Sequence, residues 1–120
     1  MTTSVLGRRL YVQRILDLYR RAPGTSGQVR RCDRRLLNEL YDRQVPFEIV
    51  RAALILAVAR RTFRSTSAPP LPPIATLHYL RPVIEELLAR PPEPDYLDYL
   101  FAKLAAIAPG FVTPTDHQLP

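Results

Sequence analysis

The chain has 120 residues, seventeen Lys or Arg against eleven Asp or Glu, and a formal net charge of +6. That length fits one domain with one core, and a single cysteine excludes an internal disulfide. The longest apolar run, residues 52–59, lies between Arg51 and Arg60 and falls short of the ~18 residues needed to cross a membrane. With no signal-peptide segment around Arg8 and Arg9, a cytoplasmic, bacterial protein is expected.

The first helix is predicted over 8–21. Val12, Ile15, Leu16 and Tyr19 recur at three and four, and Arg8, Arg9, Arg14, Arg20 and Arg21 sit mostly off that stripe. Ala22-Pro23-Gly24-Thr25-Ser26-Gly27 is a loop by composition. Asp33 is the expected N-cap of a second helix reaching about residue 43. Its apolar face is Leu36, Leu37, Leu40 and Tyr41, and Arg34, Arg35, Glu39 and Asp42 form the other. After the break Gln44-Val45-Pro46, a third helix starts with Pro46 at the favoured first position. It is apolar on every side over 49–59, which predicts a buried central helix. Arg60, Arg61 and Arg64 close it, where cations suit the helix dipole.

Residues 65–73 hold four prolines and no helical pattern. A fourth helix is read from 74 or 76 to 89, with Leu77, Leu80, Val83, Ile84, Leu87 and Leu88 inward. Pro82 lies inside it, removes one backbone bond and is expected to kink or split it. A fifth helix, capped by Asp95, carries Tyr96, Leu97, Tyr99, Leu100, Leu104 and Ile107. No segment alternates as a strand does. The expected fold is all-α: a compact bundle of about five helices over 1–107, with Pro-rich loops and a flexible, extended tail over 108–120.

Catalytic and metal chemistry finds little material. One cysteine and two histidines, His78 and His117, offer no zinc-ligand spacing, and the four glycines form no phosphate loop. No metal or cofactor is expected. Cys32 stands among Arg30, Arg31, Arg34 and Arg35, a setting that would favour a thiolate. No base or orienting partner is identifiable, so a small residue filling a helix-entrance contact is the preferred reading. Glu85 and Glu86 are adjacent on a helix, point about 100° apart and read as a solvated pair. His78 and Tyr79 read as a half-buried pair closing the Pro-rich loop. Helices two and three have helix-turn-helix spacing, but a recognition helix must show polar side chains to base edges. Here it would show Phe47, Ile49, Ala52, Ala53, Leu54, Ile55 and Leu56, so the pair is read as a hairpin whose second member is core. An enzyme using Cys32 or His78 is the least favoured reading.

The charge is split along the chain. Up to Arg64 there are fourteen arginines and five carboxylates, and beyond it three cations and six carboxylates. Arginine dominance also fits a GC-rich genome, but the asymmetry is more telling. The arginines cluster at 8/9, 20/21, 30/31/34/35 and 60/61/64. A solvated polar face is the ordinary fate of such runs. Gathered on one side of a small bundle, Arg20, Arg21, Arg30, Arg31, Arg34, Arg35, Arg60, Arg61 and Arg64 would instead make a stripe for phosphates. The leading expectation is a non-enzymatic accessory protein that contacts nucleic-acid backbone, DNA or RNA, through these arginines. The alternative is an interaction subunit that docks a larger protein through Tyr96, Tyr99 and Phe101 of the acidic C-terminal helix and through the Pro-rich loop.

Two resemblances exist at the level of pattern. Val45-Pro46-Phe47-Glu48-Ile49-Val50-Arg51-Ala52-Ala53-Leu54, Ala59-Arg60-Arg61, Leu71-Pro72-Pro73-Ile74 and Leu77-His78-Tyr79-Leu80-Arg81-Pro82-Val83-Ile84-Glu85-Glu86 resemble a group of uncharacterised small helical bacterial proteins from genomes rich in mobile elements. The central apolar helix, followed by a helix with a Tyr-hydrophobic step, is similar to the helical C-terminal domain of DnaD-like replication proteins. That second resemblance implies binding of DNA and replication partners without catalysis, and the expected setting of the accessory protein is replication, transposition or a related mobile-element process.

Overall fold

The computed structural model describes residues 5–64 and 67–107, leaving aside the side chains of residues 5 and 6. The helices are α1 (Val5–Arg21), α2 (Arg31–Asp42), α3 (Phe47–Thr62), a 3-10 turn (Leu77–Leu80), α4 (Arg81–Ala89) and α5 (Pro94–Ile107). Among the described residues there is no strand, only an isolated parallel bridge between Thr25 and Ile74. The fold is an all-α bundle. The expected tail, 108–120, lies outside the described residues. No helix among the described residues is long and apolar enough to cross a membrane.

α3 is the axis, and α1, α4 and α5 pack around it. Val50 and every residue from 52 to 59 are buried, as the lack of a polar face requires. Ile15, Leu16 and Tyr19 of α1 and Ile84, Leu87, Leu100 and Leu104 of the last two helices close over it, while Leu36, Leu37 and Leu40 join the same core from α2, which packs on α1 and the 3-10 turn. α1 and α2 run antiparallel. Arg8, near the start of α1, bonds Asn38 and Asp42 near the end of α2, and the Tyr11 hydroxyl donates to the Val45 carbonyl at 2.8 Å.

α2 stops through a C-terminal motif in which Val45 N–H donates back to Leu40 O and Gln44 N–H to Tyr41 O. That wrap needs a left-handed residue, and Gln44 supplies it at φ 62°. Pro46 then precedes α3 in extended conformation, φ −62° and ψ 146°, one position earlier than expected. Pro82 does split the fourth helix. The stretch before it winds as a 3-10 turn, and Pro82 stands in the first turn of α4, where its missing N–H is harmless. Ile74 is not helical. Its N–H donates to Gly24 O at 2.7 Å and its carbonyl accepts from Ser26 N–H at 2.8 Å.

Three burial expectations need correction. Leu88 is exposed, because the covered strip of α4 narrows to Val83, Ile84 and Leu87. His78 and Tyr79 are exposed rather than half-buried, since the short 3-10 turn aims only Leu77 and Leu80 inward. Phe101 was expected to dock a partner, yet only 6% of it is exposed. It shares the buried face of α5 with Leu100 and Leu104, and the Arg51 guanidinium covers its ring at 4.4 Å.

Candidate nucleic-acid interface

The topology collects one end of the bundle. α1 ends there, α2 begins there, and α3 ends there after the tight turn reverses the chain. Gly24, in the loop after α1, lies so close to Arg61 of α3 that an added Cβ would meet its Nε at 3.7 Å. The Pro-rich loop returns to the same end through the Thr25–Ile74 bridge.

Asp33 fastens this end. It is not the N-cap: α2 begins two residues earlier, with Arg30 as the cap residue. Asp33 Oδ2 accepts the Arg30 N–H at 2.9 Å. Its Oδ1 accepts the Thr76 hydroxyl at 2.6 Å and the Leu77 N–H at 2.8 Å. One carboxylate thus satisfies the starts of two helical segments, and the residue is fully buried. Burial alone would push its pKa up, but the Thr76 hydroxyl and the Arg30 and Leu77 amides outweigh burial and hold it below the ordinary carboxylate value.

The arginines separate into two sets. Arg60 forms a two-pronged pair with Glu86 of α4, the shorter contact 2.9 Å. Arg61 donates to the Pro72 carbonyl and lies over the Tyr79 ring. Arg64 donates to the Pro69 carbonyl at 2.9 Å. Arg61 and Arg64 line a small cleft with Pro23, Gly24 and Pro69, so they act chiefly as straps for the Pro-rich loop. Arg20 approaches Asp17 loosely, at 3.7 Å. Arg21 is half-buried at the end of α1. Arg43 and Arg81 pair with Glu85 and Glu39, so the Glu85–Glu86 pair is exposed and turned to different arginines.

Arg30, Arg31, Arg34 and Arg35 differ. All four are exposed, and among the described residues no carboxylate pairs with any of them. They surround the first turn of α2, where the helix dipole is positive and cations are disfavoured by about 0.3–1 kcal/mol each at low ionic strength. The last turn of α2 holds no basic residue. α3 follows the opposite, stabilising order, with Glu48 in its first turn and Arg60 and Arg61 in its last, and α1 also carries Arg20 and Arg21 in its last turn.

The cluster continues into an open groove of about 560 Å³ between α1 and α2, lined by Arg8, Arg9, Leu10, Val12, Gln13, Arg34 and Asn38. Arg8 is fixed there by Asp42 at 2.6 Å and by Asn38 Oδ1 at 3.1 Å, and its guanidinium lies over Tyr41. Arg9 is exposed with no carboxylate partner among the described residues. The expected site residues omitted Arg9 and Leu10. The signal was available, because Leu10 is apolar yet stands off the Val12–Ile15–Leu16–Tyr19 stripe, and it is 56% exposed.

Cys32 is a free, partly buried thiol whose own carbonyl lies 3.3 Å from His78 Nε2. Among the described residues no group of three or more His, Cys, Asp or Glu could hold a metal ion. On α5, Tyr96 and Tyr99 are both exposed and their rings stack at 6.5 Å. Comparison of the chain with family models, with curated proteins and with solved structures finds no match.

Proposed function

We propose that the protein binds nucleic-acid backbone, without catalysis, through Arg30, Arg31, Arg34 and Arg35 around the start of α2. One observation carries this reading: four exposed guanidiniums, paired with no carboxylate among the described residues, stand at a helix end whose dipole disfavours them. A phosphate strand gives each a counter-charge and adds anions at the positive end of a helix. Arg20 and Arg21 extend the basic surface at the same end. Arg60, Arg61 and Arg64 already bond to Glu86 and to loop carbonyls and contribute field rather than direct contact. Contacts of this kind position a strand and carry no base information.

A second reading keeps one observation in its favour, the exposed Tyr96–Tyr99 stack, which would serve a protein partner. The loss of Phe101 to the core removes a third of that surface.

Fluorescence anisotropy with a labelled oligonucleotide distinguishes them. About four phosphate contacts give a log–log salt slope of roughly −3 to −4. Replacing Arg30, Arg31, Arg34 and Arg35 with Gln lowers affinity alike for every sequence. No binding up to about 100 μM at low salt, where non-specific binders respond, would overturn the nucleic-acid reading.

A further inference from the structure

We infer that the α1–α2 groove takes an unpaired base of the bound strand, so the preferred ligand is single-stranded. This rests on the backbone reading above and adds a second element to it.

Arg34 is the link, because it belongs both to the phosphate-facing cluster and to the lining of the groove. Its backbone carbonyl is held by Asn38 Nδ2 at 2.8 Å, which fixes the amide of Asn38 at the wall. Arg9, on α1, lines the same groove with Leu10, 56% exposed, and the largely buried Val12. An exposed leucine beside two guanidiniums that pair with no carboxylate among the described residues fits a ligand that is anionic and carries a flat apolar body. A nucleotide has that chemistry, with phosphates for Arg9 and Arg34 and a ring face for Leu10. In a duplex the ring faces are stacked inside and only the backbone reaches a protein surface. In a single strand they are free to leave the stack. The groove, at about 560 Å³, falls in the size range of small-molecule sites. Arg8 is held by Asp42 and Asn38, so the groove is braced before any ligand arrives. Gln13 is similarly held by Asp17, its Nε2 donating at 2.9 Å.

The test compares two labelled strands of equal length and charge, one of thymidine nucleotides and one abasic, by anisotropy at low salt. The thymidine strand is expected to bind about fivefold tighter, as covering roughly 40 Å² of apolar surface between a ring face and Leu10 would give. Leu10→Ser removes the apolar floor at an exposed position. It is expected to erase that preference while leaving abasic binding unchanged. Arg34→Gln is expected to weaken both strands. Equal affinity for the two strands, or a Leu10→Ser loss shared equally by both, overturns the groove and leaves the backbone reading standing. Absence of binding to either strand overturns both. Displacement of the strand by an equally charged glutamate peptide at matching concentration assigns the groove to an acidic protein segment and overturns the nucleotide.

Discussion

α2 carries six charged residues and α3 four, and the two helices use them in opposite ways. α3 begins with Glu48, ends with Arg60 and Arg61, and hands those arginines to Glu86 and to the Pro-rich loop. Every charge on it agrees with the helix dipole or with a neighbour. α2 begins among four arginines and ends with Asp42. Its only first-turn carboxylate, Asp33, is buried and bonded elsewhere. The comparison teaches that arginine content is not the functional signal. The proposed function rests on the arginines that the helix dipole disfavours, not on those that serve the fold.

The largest effect belongs to the helix built for stability. Leu54→Ala, at the centre of α3 and 1% exposed, is expected to cost about 2–5 kcal/mol through lost burial and a cavity, read by urea denaturation. An unchanged midpoint would mean that α3 is not the axis of the core.

Asp33→Ala comes next. It orphans the Arg30 and Leu77 amides and the Thr76 hydroxyl, at about 1–3 kcal/mol for each donor that water does not reach. The pH dependence has a definite sign. The folded pKa is depressed below the ordinary 3.8. Its contribution is therefore complete above that value and is lost as pH falls through it toward the folded value. Urea midpoints between pH 6 and pH 2.5 should fall on the acid side in the wild type, and Asp33→Asn should flatten that limb.

The two arginine sets then give opposite signs. Joint replacement of Arg31, Arg34 and Arg35 with Gln is expected to leave stability unchanged or raise it by up to about 1 kcal/mol at low salt, since three cations leave a positive helix end. Arg60→Gln should lower stability slightly, with salt erasing the difference. Parallel losses in both variants would erase the distinction between the helices. Gln44→Gly is smaller still, a gain of about 0.5–1 kcal/mol by relieving the left-handed residue that ends α2.

The sequence carried the bundle well wherever periodicity alone decides. The all-round apolar span of α3 required a central position, and Pro82 required a break. Phe101 was legible too. It is four residues from Leu97 and three from Leu104, on the face that packs, whereas Tyr96 and Tyr99 lie off it; its aromatic character drew more notice than its spacing. Asp33 was not legible. A cap signature needs an acceptor at the cap residue, and Arg30 has none. The residue that holds the carboxylate, Thr76, lies 43 positions away, beyond the reach of any local pattern. The partition of the arginines was hidden for the same reason, because Glu85 and Glu86 reach Arg43 and Arg60 only after α4 docks.

The same 43-residue separation bears on folding kinetics. Chain entropy resists bringing Thr76 to Asp33 until α3 and the Pro-rich segment have carried the chain back to the start of α2. The carboxylate is therefore expected to join after the rate-limiting ensemble, so that its bonds act on the way out rather than on the way in. Loss of Asp33 is expected to accelerate unfolding while scarcely slowing refolding. The residue that ties two helix starts together is thus expected to set how long the folded chain lasts.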